Sequence, residues 1–474
     1  MKPVLLIDFG STYTKVTAVD VDGECLLGTA QAYTTIQTDL TDGLDEALEG
    51  LRESIGQVEF SETYACSSAA GGLRMVTSGL VPELTSEAAK LASLGAGAKL
   101  VGIYSYEMTE DDIEEIISLK PDIFLLVGGT DGGNKTCIIH NAKLLAALPS
   151  SIPIVIAGNR VAAKECERIL DGHPTYICDN VMPKFGVLKI ESVQNKIREI
   201  FLDRIIQAKG LTRIASLMDD IIMPTPAAVL RAMTLLAEGT DAELGIGELV
   251  GIDVGGATTD IYSVADGMPR QASTVYKGLP EPYAKRTVEG DIGMRYSIHG
   301  IVDAAGADRI AQLSNLSVER VNELTDMLSR NTDRLPGTDE ELKRLDFALA
   351  SMAAETAVAR HAGTMEEAFT MMGPCLVQSG KDLRQVKQLI VTGGSLIHTE
   401  KTADIAAHAL ADKAQPNSLR PLRSTVRVDR RYILAAMGLL SIHYPDTALR
   451  IMKRELEDAG YRESGFEGIQ LSAI

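Results

Sequence analysis

Two short loops carry the residue types needed to grip a polyphosphate. Asp8-Phe9-Gly10-Ser11-Thr12-Tyr13-Thr14-Lys15 and Asp253-Val254-Gly255-Gly256-Ala257-Thr258-Thr259-Asp260 each open on an aspartate and run through glycine and hydroxyl residues. Glycine lets the backbone bend tightly and approach a ligand, and consecutive amides with Ser or Thr hydroxyls donate to phosphate oxygens. An aspartate at a strand end can hold hydrated Mg²⁺ or orient a water, because Mg²⁺ keeps several waters and prefers carboxylate oxygen. One such turn would carry little weight, since Asp-x-Gly turns are common. Two copies in matched settings reverse that judgement. A third string, Ile390-Val391-Thr392-Gly393-Gly394-Ser395, ends in small residues that let a flat ring lie against backbone. Alone it is a strand-to-helix turn.

The elements around the loops repeat as well. An apolar run at 4–7 enters the first loop, a second run at 16–19 leaves it, and Asp22-Gly23 signals a hairpin turn before a strand near 25–27. Much later, 249–252 and 261–264 flank the second loop, and Asp266-Gly267 signals the matching turn. Asp8 and Asp253 lie 245 positions apart, and Gly10, Thr14 and Val19 correspond to Gly255, Thr259 and Val264. One supersecondary unit copied at that distance implies two related domains.

Between the copies, apolar runs at 100–104, 123–127, 154–157 and 175–178 alternate with helical patterns at 110–119, 143–148 and 162–170. Alternation of that length predicts a small doubly wound parallel sheet. A long amphipathic helix at 191–209 leads back to the core. Beyond the second loop, 317–344 reads as charged helix broken at Pro336-Gly337. An Ala-rich helix is expected over 347–372, a strand at 388–391, and further helices to about 456. The expected division is 1–84 for the first part of domain I and 85–182 for the inserted domain. The return of domain I with a connecting helix takes 183–240, and domain II takes 241–474.

Composition narrows the function classes. Lys and Arg total 46 against 65 Asp and Glu, a formal net charge of −19. A field of that sign repels phosphate backbones and anionic lipid, so nucleic acid and membrane are poor partners. Trp is absent and aromatics are 4%, too few for stacking platforms on single strands. Six cysteines show neither a C-x-x-C pair nor zinc spacing. No apolar run approaches a membrane span, and the start lacks a signal-peptide pattern. A cytoplasmic location is expected.

In their order, these motifs resemble the superfamily of actin, sugar kinases and heat-shock ATPases. The two Asp loops match its phosphate motifs, and Thr392 to Ser395 match its adenosine motif. Met223-Pro224-Thr225-Pro226-Ala227-Ala228 and Tyr432-Ile433-Leu434-Ala435-Ala436-Met437-Gly438-Leu439 resemble its first and last connecting helices. The resemblance implies an α/β fold of duplicated actin-like (ribonuclease-H-like) ATPase domains, with ATP and Mg²⁺ in the cleft and an inserted Rossmann or flavodoxin-like domain. It assigns Asp8 and Asp253 to catalysis and the metal. Nucleotide contacts fall to Gly10, Ser11, Thr12, Thr14, Lys15, Gly255, Gly256, Thr258, Thr259 and Thr392 to Ser395. Glu289 and Asp291 sit where heat-shock ATPases carry a Gly-Gly-Glu-Asp helix start, and can be a nucleotide-sensing carboxylate pair or a capped helix end.

Within that superfamily, the chain most resembles the accessory proteins of cobalamin-dependent glutamate mutase, the MutL type, in the hydantoinase and oxoprolinase branch. The strings that carry this are Leu5 to Thr12, Ser67-Ser68-Ala69-Ala70-Gly71-Gly72-Leu73, Val288-Glu289-Gly290-Asp291-Ile292-Gly293 and Arg360-His361-Ala362-Gly363. Residues 97–159 resemble the mutase's small cobalamin-carrying subunit, but the chain has no D-x-H-x-x-G loop to bind cobalt, and His140 and His173 lack that setting. The resemblance implies ATP-driven reactivation of an adenosylcobalamin-dependent mutase, with the mutase subunits as partners; a homo-oligomer stays open. ATP-driven opening of a cyclic amide and an actin-like chaperone or filament ATPase are the alternatives. The loop Gly128-Gly129-Thr130-Asp131-Gly132-Gly133 reads equally as a ligand loop and as a turn.

Overall fold

The computed structural model describes residues 1–10, 12–34, 40–67, 73–208, 220–270, 274–370 and 373–466. The chain divides into two compact units: residues 1–232, 278–280 and 433–451, and residues 233–277, 281–432 and 452–474. Among the described residues, no helix is long and apolar enough to cross a membrane.

The first unit opens with strands β1 (Pro3–Phe9), β2 (Tyr13–Asp20), β3 (Cys25–Tyr33) and β4 (Glu62–Ser67). Five short strands follow: β5 (Arg74–Gly79), β6 (Lys99–Ser105), β7 (Ile123–Leu126), β8 (Ile154–Ile156) and β9 (Thr175–Ile177). β10 (Asp220–Pro224) returns to the first group. The main sheet has the order β10-β4-β1-β2-β3, with β1 antiparallel to β2 and parallel to β4. β1 is buried from Val4 to Phe9, which explains its unbroken apolar run from Val4 to Ile7. The helix Leu40–Ile55 lies tight on β3, since a Cβ at Gly28 would meet Ile55 Cγ2 at 2.5 Å.

The inserted sheet is wholly parallel, in the order β6-β5-β7-β8-β9. Numbered by position in the insertion, that is 2-1-3-4-5, the flavodoxin-like order. β5 joins it from upstream of position 85. Alternation splits its side chains between two cores. Phe124, Leu126, Ile154 and Ile156 pack under Ile113, Ile116, Ile138 and Cys166, while Ile123, Leu125 and Val155 share a core with Leu5, Ile7 and Phe9. The helix Glu110–Leu119 falls where its periodicity placed it, and Thr109 and Asp112 close a capping box. The helix Thr136–Leu145 starts seven residues ahead of expectation, where the Asn134 side chain accepts from the Cys137 amide.

The second unit repeats the plan. Its strands are β11 (Leu249–Val254), β12 (Thr259–Val264), β13 (Thr274–Lys277), β14 (Ala284–Glu289), β15 (Thr364–Thr370), β16 (Gly373–Ser379), β17 (Gln388–Thr392), β18 (Arg423–Val428) and β19 (Glu457–Glu463). The main sheet runs β14-β12-β11-β17-β18-β19. Its first five strands match β3-β2-β1-β4-β10 one for one. The α/β fold with duplicated actin-like sheets and a flavodoxin-like insertion is therefore present.

Three sequence expectations change in this unit. The turn at Asp266-Gly267 does not close a tight hairpin, because β13 leaves for a small sheet, β13-β16-β15, before β14 pairs with β12. The Ala-rich helix ends at His361 rather than 372, and 364–370 is β15. A Cβ at Gly363 would lie 2.4 Å from the Ser379 carbonyl, so the chain there fits flush against the end of β16. The expected elements stop at about 456, whereas residues 457–463 form a further strand, antiparallel to β18.

Candidate functional site

The two Asp loops are framed by the same strand register and closed by the same backbone hydrogen bond. In the first, Asp8 lies opposite Lys15 and Phe9 opposite Thr14; in the second, Asp253 lies opposite Asp260 and Val254 opposite Thr259. The Gly10 amide donates to the Tyr13 carbonyl at 3.1 Å, and the Gly255 amide to the Thr258 carbonyl at 2.9 Å. A Cβ on Gly10 would sit 2.5 Å from the Tyr13 carbonyl oxygen, so only glycine fits. Ser11 lies outside the described residues.

Thr14 and Thr259 brace these turns from inside. Both are fully buried; Thr14 Oγ1 meets Thr34 Oγ1 at 3.1 Å, and Thr259 Oγ1 donates to the Ile292 carbonyl at 3.0 Å. Thr34 in turn ties the first loop, its hydroxyl donating to the Gly10 carbonyl and its amide to the Thr12 carbonyl.

Asp8 is 5% exposed. Its Oδ1 accepts from Thr225 Oγ1 at 2.5 Å and from Cys66 Sγ at 3.5 Å, while Lys15 Nζ stands 3.6 Å from Oδ2. Burial, with the Asp8 charge beside it, pushes the Cys66 thiol well above its usual range. It is therefore a neutral donor. Thr225 was legible only as the start of a connecting helix; nothing in its local sequence showed that it reaches Asp8.

In the second unit the loop is held from below. The Met294 amide donates to the Gly255 carbonyl, and the Arg295 and Tyr296 amides both donate to the Gly256 carbonyl, at 2.8 to 3.0 Å. Among the described residues, the amides of Gly256, Ala257 and Thr258 donate to no protein acceptor. Three successive open amides suit phosphate oxygens. Thr258 Oγ1 lies 3.3 Å from Asp260 Oδ2. Buried Arg286 holds Asp260 at 2.6 Å, and that carboxylate keeps the guanidinium charged despite burial.

The third motif stands beside this loop. β17 runs parallel to β11 with Thr392 opposite Asp253. Gly393 has φ +96°, and a Cβ there would lie 2.4 Å from the Val254 carbonyl oxygen. Thr392 Oγ1 donates to Asp429 Oδ2 at 3.4 Å; Gly394 is exposed and Ser395 half-buried at the start of the helix Gly394–Ile397. The carboxyl ends of adjacent parallel strands are where open α/β sheets bind ligands.

Glu289 ends β14 opposite Thr259, and Arg360 reaches its carboxylate at 2.6 Å and Asp291 at 3.8 Å. The next helix begins at Ile298, so neither carboxylate opens a helix. Asp291 and Arg360 line a shallow hollow of about 490 Å³ with Ser297, Gly300 and Asp303.

The residues present fit a nucleotide better than a protein-held metal. Among the described residues, no three His, Cys, Asp or Glu side chains gather to hold an ion. A Mg²⁺ fits here only with phosphates and waters as its main ligands. In the insertion, His140 and His173 both meet backbone carbonyls, at 2.9 and 3.4 Å. The amides of Asp131, Gly132 and Gly133 already donate to Pro183, Asn159 and Thr130, which favours the turn for that glycine-rich loop.

The family model described as MutL protein matches residues 4–456. Protein MutL of Clostridium tetanomorphum is 47% identical over 460 residues, spanning 96% of this chain and 99% of its own. Among solved structures, ligand-bound xylulose kinase from Lactobacillus acidophilus aligns at 11% identity and TM-score 0.39, over 98% of this chain and 94% of its own. The activator of 2-hydroxyisocaproyl-CoA dehydratase from Clostridium difficile, with bound ADPNP, aligns at 8% identity and TM-score 0.32, over 95% and 97%.

Proposed function

The chain belongs to the MutL protein family, and on that premise we propose that it is an ATP-driven accessory protein that reactivates an adenosylcobalamin-dependent mutase, glutamate mutase in the first instance. The observation that carries the nucleotide reading is the repeated Asp-Gly turn, with three open amides at Gly256 to Thr258. Gly10, Ser11, Thr12, Thr14 and Lys15 serve the phosphates from one loop, and Gly255, Gly256, Thr258 and Thr259 from the other. Thr14 and Thr259 act by bracing the turns. Thr392 to Ser395 face the adenosine.

Asp8 and Asp253 orient the waters around the phosphates; one water attacks the γ-phosphorus in line, the bond from that phosphorus to the β–γ bridging oxygen breaks, and ADP and phosphate leave. Bound Mg²⁺ offsets charge on the phosphate oxygens. Glu289 and Asp291, paired with Arg360, respond on this reading to the state of the second loop. Loss of the γ-phosphate removes the ligand that the open amides hold, and the affinity for the mutase changes with it.

The insertion supports the mutase as partner. Its parallel 2-1-3-4-5 sheet agrees with the strand-and-helix likeness to a cobalamin-carrying subunit. On this reading it docks where that subunit docks, while damaged cobalamin leaves. The test is to supply glutamate mutase inactivated by turnover with this protein, ATP and fresh coenzyme. Recovery of activity that depends on ATP is expected. No recovery, with ATP-dependent opening of a hydantoin ring instead, would replace this function with cyclic-amide hydrolysis.

A further inference from the structure

The Asp8 carboxylate is held by a residue far away in the chain. Thr225 lies 217 positions from Asp8, and its hydroxyl hydrogen bond at 2.5 Å is the shorter of the two that reach Oδ1. Thr225 is the first residue of the helix Thr225–Glu238. It stands between Pro224 and Pro226. The helix begins in the first unit and continues into the second, which takes over at Met233. The chain returns to the first unit at Ile433, through the helix Leu434–Leu440.

These two crossings are fastened together. Arg231 Nε donates to Ser441 Oγ at 2.8 Å, and Gly438 sits so close to Ala228 that a Cβ would fall 1.9 Å from its carbonyl oxygen. The carboxylate under the first phosphate loop is therefore bonded to the first turn of a helix that is locked to the returning helix. With Oδ1 occupied by Thr225 and Cys66, the Asp8 rotamer is fixed and Oδ2 is left on the Lys15 side.

We propose that Thr225 is a positioning residue for Asp8, fixing which carboxylate oxygen is presented at the phosphate loop and passing the nucleotide state of that loop into the first connecting helix. The inference rests on the reading of the loops as an ATP site. A donor to a charged acceptor is the strong class of hydrogen bond. It is replaceable by serine, which keeps the hydroxyl, and not by valine, which keeps only the shape.

The experiment uses the full chain with Thr225→Val and Thr225→Ser. Phosphate release is measured over a range of ATP, binding is titrated with a non-hydrolysable ATP analogue, and hydrogen exchange is followed at amides 227–230. Thr225→Val should lower kcat by between about tenfold and a hundredfold. Its analogue affinity should stay within about threefold, since the open amides are untouched. The analogue should slow exchange at 227–230 in the parent and in Thr225→Ser, and not in Thr225→Val. Serine should restore kcat to within about threefold. Parent-like kcat and exchange in Thr225→Val, or a serine variant as impaired as valine, would overturn the role of the hydroxyl while leaving the ATP site standing. A parent that neither binds the analogue nor releases phosphate would overturn the ATP reading itself, and this role with it.

Discussion

Gly438→Ala is the smallest change that tests how closely the two connecting helices cross. The added Cβ would lie 1.9 Å from the Ala228 carbonyl oxygen, 2.6 Å from its carbon and 3.0 Å from its Cα. All three are backbone atoms, so no rotamer change relieves the overlap. Ordinary contact begins near 3.4 Å, and the helices must part by more than about an ångström to reach it. Two effects oppose each other. Alanine gains about 1 kcal/mol over glycine inside a helix, while overpacking costs about 1–3 kcal/mol, with rigid backbone on the receiving side placing this case near the top of that range. The parting also strains the bond from Arg231 to Ser441. The net expectation is a loss of about 2 kcal/mol. For a unit of this size that lowers the melting temperature by roughly 4–8 °C. Scanning calorimetry of parent and variant measures it, with circular dichroism to confirm unchanged helix content. A melting temperature equal to or above the parent's would mean that helix propensity wins and that the close crossing is wrong.

The remaining predictions concern Lys381, which is 1% exposed, with its ammonium donating to the Tyr283 carbonyl and lying 3.5 Å from Ser263 Oγ. Burial lowers its pKa to about 7, with Glu281, Glu248 and Asp266 pulling upward and Lys285 downward. The unfolded chain then binds the extra proton above about pH 7, so stability should rise with pH from about 7 to 8.5, by at most about 1.4 kcal/mol per unit. His361, which shares Ser263 and is held neutral by burial, adds the same sign up to its usual range near 6.5. Above about pH 9 the buried Cys66 thiol opposes this rise, and above about pH 10 the buried Tyr262 hydroxyl opposes it further. Urea melts across this range read the slope, and a flat or falling curve between pH 7 and 8.5 would contradict it. Lys381→Met should flatten the rise; an unchanged slope in that variant would place the titrating group elsewhere.

What was legible in the chain depended on sequence distance. The duplicated turn could be read because aspartate, glycine and hydroxyl residues recur at fixed spacing within eight positions. The insertion could be read because its strands β7 and β8, buried on both faces, are short unbroken apolar runs. β15 could not, since Met365, Glu366, Glu367 and Ala368 favour helix, and only pairing with β16 overrides that preference. The site's inner braces were hidden for a similar reason. Thr225 to Asp8, Arg286 to Asp260 and Arg360 to Glu289 join residues 217, 26 and 71 positions apart. Each is an ordinary residue locally, and acquires its role only when the sheets form. Thr14 and Thr259 show the converse: the loop pattern marked them, and burial shows that their hydroxyls face inward.

The central claim is that both Asp turns serve one chemistry, the hydrolysis of MgATP. Steady-state phosphate release from the parent, Asp8→Ala and Asp253→Ala, with folding verified by circular dichroism, tests it most directly. The parent should release phosphate from ATP, and each variant should be slower by at least about tenfold, the effect of removing one positioned charge beside the phosphates. Parent-like release in both variants, or no release from the parent, would contradict it.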